Sequence, residues 1–294
     1  MEEESSIARV VVGGALALAI VAVAGGYLGG LHPLGDSLAV GRGKASAAVF
    51  LLAFLAIVAG MRLAAFGAIL FSILTGGSVL LAYVWPGPPG TFTLYQKNMF
   101  HQNTDLPGLE ADIREAAPMA LTLQEVTDPN LALLANLQDL LPHQHHCRQA
   151  PRGGLSVASQ LPLVEGSQRC GRGVAAMQVI YDDQPVWIVS VHLSWPWPYR
   201  QAEQVAEVGP FLAGLEGPVF MGGDFNMVRW GMSVEQLGAA ARALPAGPTG
   251  GSFLGLGPLF SLPIDHVFAP SGGRVTFRPA LGSDHLGLLA SLAL

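Results

Sequence analysis

No charged side chain occurs between Arg9 and Asp36, between Lys44 and Arg62, or between Arg62 and Lys97. Stretches this apolar cannot form the solvated surface of a globule, so the start of the chain is expected to fold against hydrocarbon. Residues 10–30 and 63–85 are long enough to cross a bilayer core of about 30 Å at about 1.5 Å per helical residue. Residues 45–60 form a shorter run, but it lacks the polar stripe of an interfacial helix. Three membrane helices are therefore expected within residues 1–86. A cleaved signal peptide fits the first stretch poorly, because no Ala-x-Ala-like site precedes the polar residues 32–44. Composition agrees: 51% hydrophobic and 12% charged residues are too apolar for an ordinary soluble chain.

Trp85-Pro86-Gly87-Pro88-Pro89-Gly90 ends the third helix, since proline has no N–H to donate. Residues 87–90 read as a stiff linker, and residues 91–294 as one further domain with ample length for a core. There the pattern gives a strand at 91–97, an amphipathic helix at 105–117 and a strand at 119–124. Asp128-Pro129 reads as the cap and first turn of a helix carrying Leu131, Leu134, Leu137 and Leu141. Runs at 154–159, 174–180 and 186–192 have no helix between them and imply antiparallel strands. A helix at 200–215, a strand at 218–222, a short helix after Ser233, and strands at 264–268, 275–277 and 286–292 complete the domain. Strands flanked by helices make this an α/β layered sandwich.

Polar groups cluster where apolar runs end: Asn98, Gln124-Glu125, His192, Gly223-Asp224-Phe225-Asn226, Asp265-His266 and Ser283-Asp284-His285. Strand ends in an α/β sheet deliver side chains to one crevice, and this set suits phosphoester cleavage, which needs charge stabilisation and an activated water. Glu125 is a hard oxygen ligand for Mg²⁺ or Mn²⁺, and Asn98 is expected to orient that ligand or contact phosphate. Asp224 and Asn226, two apart, share a face if extended, the carboxylate taking a proton from water and the amide fixing it. His192 and His285 would donate to phosphoryl oxygens, with Asp265 orienting one of them. Contiguous Ser283-Asp284-His285 cannot stack as a serine-hydrolase triad, and no Gly-x-Ser-x-Gly elbow occurs. His143, His145, His146 and Cys147 lack a second ligand cluster at zinc-like spacing and read as a solvated loop or strand edge.

In order and approximate spacing these six motifs resemble the endonuclease/exonuclease/phosphatase superfamily over residues 91–294. The resemblance implies a four-layer α/β sandwich of two mixed sheets flanked by helices, a divalent metal held by Glu125, Asn98 and Asp284, and Asp284 either assisting His285 or reaching that metal. With the helical start and the Trp195-Pro196-Trp197-Pro198 insert, the chain looks like a membrane-anchored bacterial branch acting on lipid-linked phosphate. That implies a multi-pass protein of the bacterial inner membrane. One departure is Ser159-Gln160, where relatives carry Ser-Arg, removing a cation that would help hold substrate.

The net charge of −6 belongs wholly to residues 91–294, because Arg9, Arg42, Lys44 and Arg62 balance Glu2, Glu3, Glu4 and Asp36. An acidic domain whose one lysine is Lys97 is a poor match for a polyphosphate duplex. The expected substrate is instead a phosphate ester or pyrophosphate of a lipid or lipid-linked molecule, with Trp195 and Trp197 forming a rigid loop against the amphiphile. A membrane-bound nuclease and a non-catalytic scaffold are the alternatives. Basic residues fall equally on both sides of the helices, so the positive-inside rule gives no orientation. Cys147 and Cys170 flank a strand pair, and a disulfide between them would put the domain outside the cytoplasm.

Overall fold

A computed structural model of the chain describes residues 2–149, 152–257 and 260–294. They form two compact units: residues 1–84 with the short segments 196–198 and 230–232, and the remainder of the chain from Trp85 onward.

In the first unit, α1 (Glu2–Gly25), α2 (Leu34–Val40), α3 (Arg42–Val58) and α4 (Arg62–Val84) follow one another. Two helices, Ser6–Gly25 and Arg62–Val84, are long and apolar enough to cross a membrane, and α2 with α3, bent by 67°, makes a third if the pair is one span. Leu18, Leu51, Leu63, Phe66 and Leu74 point outward, whereas Ala53, Ala56, Ala65 and Ala68 are buried, small residues that let helices approach closely without a hydrophobic drive between them. Ser46 and Thr75 hydrogen bond at 2.9 Å, tying α3 to α4. The polar stretch 32–44 contains α2. Its Asp36 accepts from the Met232 N–H at 2.7 Å, and Ser37 donates to the Trp197 carbonyl at 2.6 Å.

The second unit contains β1 (Phe92–Asn98), α5 (Leu106–Ala116), β2 (Ala120–Val126), α6 (Leu131–Asn136), β3 (His143–Cys147), β4 (Gly154–Ser159), β5 (Arg169–Gly171), β6 (Val174–Tyr181) and β7 (Gln184–His192). It continues with α7 (Gln201–Ala213), β8 (Val219–Asp224), α8 (Met232–Ala240), β9 (Leu244–Pro245), β10 (Asp265–Ala269), β11 (Gly273–Arg278) and β12 (Gly287–Leu292). Two six-stranded sheets result, in the orders β11-β12-β1-β2-β4-β3 and β5-β6-β7-β8-β10-β9. β1/β2 and β7/β8 pair in parallel beside antiparallel neighbours, so both sheets are mixed.

Phe92, Leu94, Met177, Ile188, Phe220, Val267 and Leu288 fill the space between the sheets, with Phe92 stacked on Phe220 at 4.0 Å between ring centroids. β2 is buried along its whole length, its polar Thr122, Gln124 and Glu125 included. The outer face of the first sheet is covered by Leu109 and Ile113 of α5 and Leu133 and Leu134 of α6. Asp105 caps α5 by accepting the Gly108 N–H at 3.0 Å. α7 buries Val205, Val208 and Leu212. Helices thus flank both sheets, as the expected sandwich requires.

One local reading is corrected. The helix expected from Asp128 begins only at Leu131 with no side-chain cap, and Asp128 turns to Arg148 instead, 3.3 Å away. Residues 87–90 pack closely: a Cβ on Gly87 would meet the Gly273 carbonyl at 2.1 Å, and one on Gly90 the Leu292 carbonyl at 1.8 Å.

Gly222 and Gly223 set how closely β8 approaches its neighbours. A Cβ at Gly222 would lie 2.5 Å from Thr122 Oγ1, and one at Gly223 only 2.2 Å from the Val191 carbonyl. Gly223→Ala, which meets backbone rather than a yielding side chain, is expected to lower unfolding free energy by about 3 kcal/mol, measured by denaturant unfolding.

Candidate active site

Parallel pairing sets the crevice. Asn98 lies opposite Gln124 at the ends of β1 and β2, and His192 opposite Asp224 at the ends of β7 and β8. β10 runs antiparallel to β8, so its first residue, Asp265, pairs with Asp224. Glu125 escapes strict alternation: β2 shifts register against β4 between Leu123 and Val126, and Glu125 takes φ 56°, a left-handed conformation rare outside glycine and tolerated where function requires it.

The groups form one connected set. Asn98 Nδ2 donates to Asp224 Oδ2 at 2.9 Å. His192 Nε2 stands 3.6 Å from Asp224 Oδ2 and 3.9 Å from Glu125 Oε1. His285 Nε2 faces Asp224 Oδ2 at 3.7 Å, while its Nδ1 donates to Asp265 Oδ2 at 2.7 Å. Asp265 thus partners His285, not His192. Asn226 is not extended: its φ is 47°, its N–H donates to Asp224 Oδ1 at 2.8 Å and its amide to the Leu193 carbonyl at 2.8 Å. The Asp-x-Asn turn clamps the carboxylate through backbone as well as side chain. Asp284 is partly exposed, 3.9 Å from His285 Nε2. Trp195 packs edge-on to Phe253 at 5.6 Å, and Phe253 on His285 at 5.0 Å, forming an apolar wall. Trp197 belongs to the first unit.

Burial and charge oppose each other here. Burial alone would lower the His285 pKa, but the carboxylates of Asp265 and Asp224 lift it to about 9. The two carboxylates thus favour the charged, donating form of the ring, and Asp224, Asp265 and His285 lie close enough together to share one ion. Burial raises Asp224. Burial would also raise Asp265, yet His285 holds it below the usual carboxylate range. Glu125 likewise stays low, His192 and His101 outweighing its desolvation.

Residues fitting a divalent cation lie on the Glu125 side. Oε2 of Glu125 accepts from the His101 backbone N–H at 3.0 Å and ring Nδ1 at 2.8 Å, leaving Oε1 directed at the crevice with no hydrogen bond among the described residues. Carboxylate and amide oxygens without a thiolate are the donor set of a hard ion such as Mg²⁺ or Mn²⁺. Asn98 Oδ1 already accepts the Phe100 N–H at 2.9 Å.

Sequence reading missed the groups behind the crevice. Gln96 donates to Gln124 Oε1 and Asp265 Oδ1 at 2.8 and 3.1 Å, and Gln124 donates to Ser190 at 3.0 Å, a buried ladder joining the sheets. His101 was passed over because a histidine in a turn carries no signal until Glu125 is folded against it. His266 points away from the crevice and donates to the Met227 carbonyl at 2.8 Å. Ser283 donates to the Asn98 carbonyl at 2.8 Å, a loop clasp. Ser159-Gln160 is not at the crevice: β4 is antiparallel to β2, so Ser159 pairs with Ala120 while Gly154 lies beside Val126.

Lys97 is sealed inside and donates to the carbonyls of Pro279, Ala280 and His285 at 3.2, 2.6 and 2.6 Å. Burial lowers its pKa to about 8. Lys97→Met leaves those acceptors unmatched and is expected to lose about 3 kcal/mol of stability by denaturant unfolding. Burial also pushes His266 down to about 4. The unfolded chain then binds the extra proton between that value and about 6.5, so folding loses on the order of 3 kcal/mol as pH falls through this window. Unfolding at pH 7 and 4 should reveal the loss, reduced in His266→Gln.

Comparison of the fold with solved structures finds truncated Caenorhabditis elegans TDP2, at TM-score 0.54 and 16% identity over 68% of this chain and 96% of that one. An endonuclease/exonuclease/phosphatase family protein from Leptotrichia buccalis matches at TM-score 0.55 and 13% identity over 69% and 100%. At such identities the likeness is one of fold. No match emerges among curated protein sequences. The family model described as Endonuclease/Exonuclease/phosphatase family matches residues 96–285, a span that runs from the strand bearing Asn98 to His285 itself. The chain belongs to the endonuclease/exonuclease/phosphatase family of phosphoester hydrolases.

Proposed function

We propose that this protein is a membrane-anchored hydrolase that cleaves a phosphate ester or pyrophosphate of a lipid or lipid-linked substrate at the bilayer surface. Residues 1–86 serve as anchor and residues 91–294 as catalyst. The observation carrying this reading is that apolar helices α1 and α4 share a chain with a crevice having an imidazolium at its centre and an aromatic wall, Trp195 and Phe253, at its side. The nuclease alternative draws less support, since the domain is acidic and its one lysine is committed to backbone carbonyls. A periplasmic or extracellular catalytic domain in the bacterial inner membrane draws support from the Cys147–Cys170 disulfide, a bond typical of oxidising compartments.

In this reading Asp224, held by Asn98 and the Asn226 backbone, takes the proton from an attacking water. His285, charged and oriented by Asp265, donates through Nε2 to a phosphoryl oxygen, and His192 does so from the opposite side. Glu125, steadied by His101, would hold the divalent cation with Asn98 or Asp284 beside it. A bound cation supplies Lewis acidity to the phosphoryl group. Trp195 lines the path of the substrate's apolar part; Trp197 would meet lipid from its own unit.

Full-length protein in detergent with Mg²⁺ or Mn²⁺ should release phosphate or headgroup from lipid phosphates and leave plasmid and single-stranded DNA intact. Cleavage of DNA with inert lipids would establish the nuclease, and inertness on both the scaffold. Chelation by EDTA should abolish turnover, restored by either ion. Asp224→Asn is expected to reduce kcat by a factor of about 1,000 or more with the fold retained, since it removes the proton acceptor and keeps the shape. An alkaline-phosphatase fusion at the C-terminus should be active in cells; an inactive fusion beside a fluorescent one would reverse the orientation.

A further inference from the structure

A second cluster of metal-binding side chains lies away from the crevice, where the edge strands of the two sheets meet. β3 ends the first sheet and β5 the second. Alternation along β3 places His145 and Cys147 on one face, and Cys170 on β5 comes to a Cα distance of 5.6 Å from Cys147, with which it forms a disulfide. His145 Nε2 lies 3.2 Å from Cys147 Sγ and 3.3 Å from Cys170 Sγ. The three ligand atoms fall within 4.8 Å of one another. A tetrahedral zinc ion, with Zn–S about 2.3 Å and Zn–N about 2.0–2.1 Å, needs N···S edges of about 3.6 Å and an S···S edge of about 3.8 Å. On reduction the two sulfurs must part to reach that S···S edge, and His145 stands beside both of them.

We propose that reduction of the Cys147–Cys170 disulfide creates a soft-cation site in which His145 Nε2, Cys147 Sγ and Cys170 Sγ bind one Zn²⁺-like ion. A dithiol supplies the reduction: its two thiols become a disulfide as the two cysteines become thiols. Binding then releases both thiol protons to solvent. His145, whose Nε2 faces the Arg169 carbonyl at 3.3 Å and so carries its proton there, moves it to Nδ1 to free the ligating lone pair. Cys147 is 2% exposed while Cys170 is exposed, giving a dry base and an open mouth where water completes the fourth position.

The chain on either side of the site is held locally. Gln149 donates to the Gly171 carbonyl at 2.7 Å and accepts from the Gly173 N–H at 3.0 Å. Gly153, at φ 97°, passes so close to β2 that a Cβ would sit 2.9 Å from the Glu125 carbonyl carbon.

The test is Co²⁺ titration of full-length protein in detergent, reduced with a dithiol and freed of it under argon. Reduced protein should develop thiolate-to-cobalt charge-transfer absorbance saturating at one ion per chain and bleached by Zn²⁺. Oxidised protein, which keeps its hard-ligand crevice, should show none. His145→Ala should weaken binding by about tenfold or more, and Cys170→Ser, at an exposed position, should reduce the band's intensity. Absence of the band from reduced wild-type protein, or unchanged affinity in His145→Ala, overturns the proposal.

Discussion

Asp265 and His285 are withdrawn from water together, and neither charge is stable there alone. Asp265 is 2% exposed and His285 3%. Their bond raises the His285 pKa and holds that of Asp265 down, favouring an ion pair at the centre of the crevice, and it requires both sheets: Gln96, from one, donates to Asp265, from the other. Ser252 adds a second anchor, its Oγ accepting the Asp265 N–H at 3.1 Å. The imidazolium is thus a product of how the sheets are registered against one another, and a shift of either would leave a bare charge in a dry place.

That register depends on features with no chemistry of their own. Gly222 lets Thr122, Leu94 and Gln96 close over β8, and Gly223 lets β7 approach. The same glycines make the Gly-Gly-Asp motif conspicuous in the sequence, although only the aspartate faces the crevice. Glu125 shows the opposite arrangement: a strained backbone aims the side chain, and His101 holds it through two hydrogen bonds.

The layered fold and the crevice residues at strand ends were legible because each polar group interrupts an apolar run, a one-dimensional signal. Asn98, Glu125, His192, Asp224 and Asp265 carry it. Gln96, Lys97 and His101 do not, since each acquires its role from partners 24 to 188 positions away. Local signals also misled where a tertiary partner competed: Asp128 should cap a helix by propensity but meets Arg148, and Asn226 should lie extended but closes a turn on Asp224. Ser159-Gln160 misled through direction, because a sequence does not reveal which end of an antiparallel strand faces the crevice.

The seat of Lys97 has a consequence for the domain's exterior. With its sole primary amine inside, every cation on the outside of residues 91–294 is a guanidinium or an imidazole. Guanidinium keeps its charge far into the alkaline range and offers planar, forked hydrogen bonding, whereas ammonium is a compact point charge. Acylation and other amine-directed modifications therefore find no foothold there, and the exterior's positive charge is fixed by residues those reagents leave untouched.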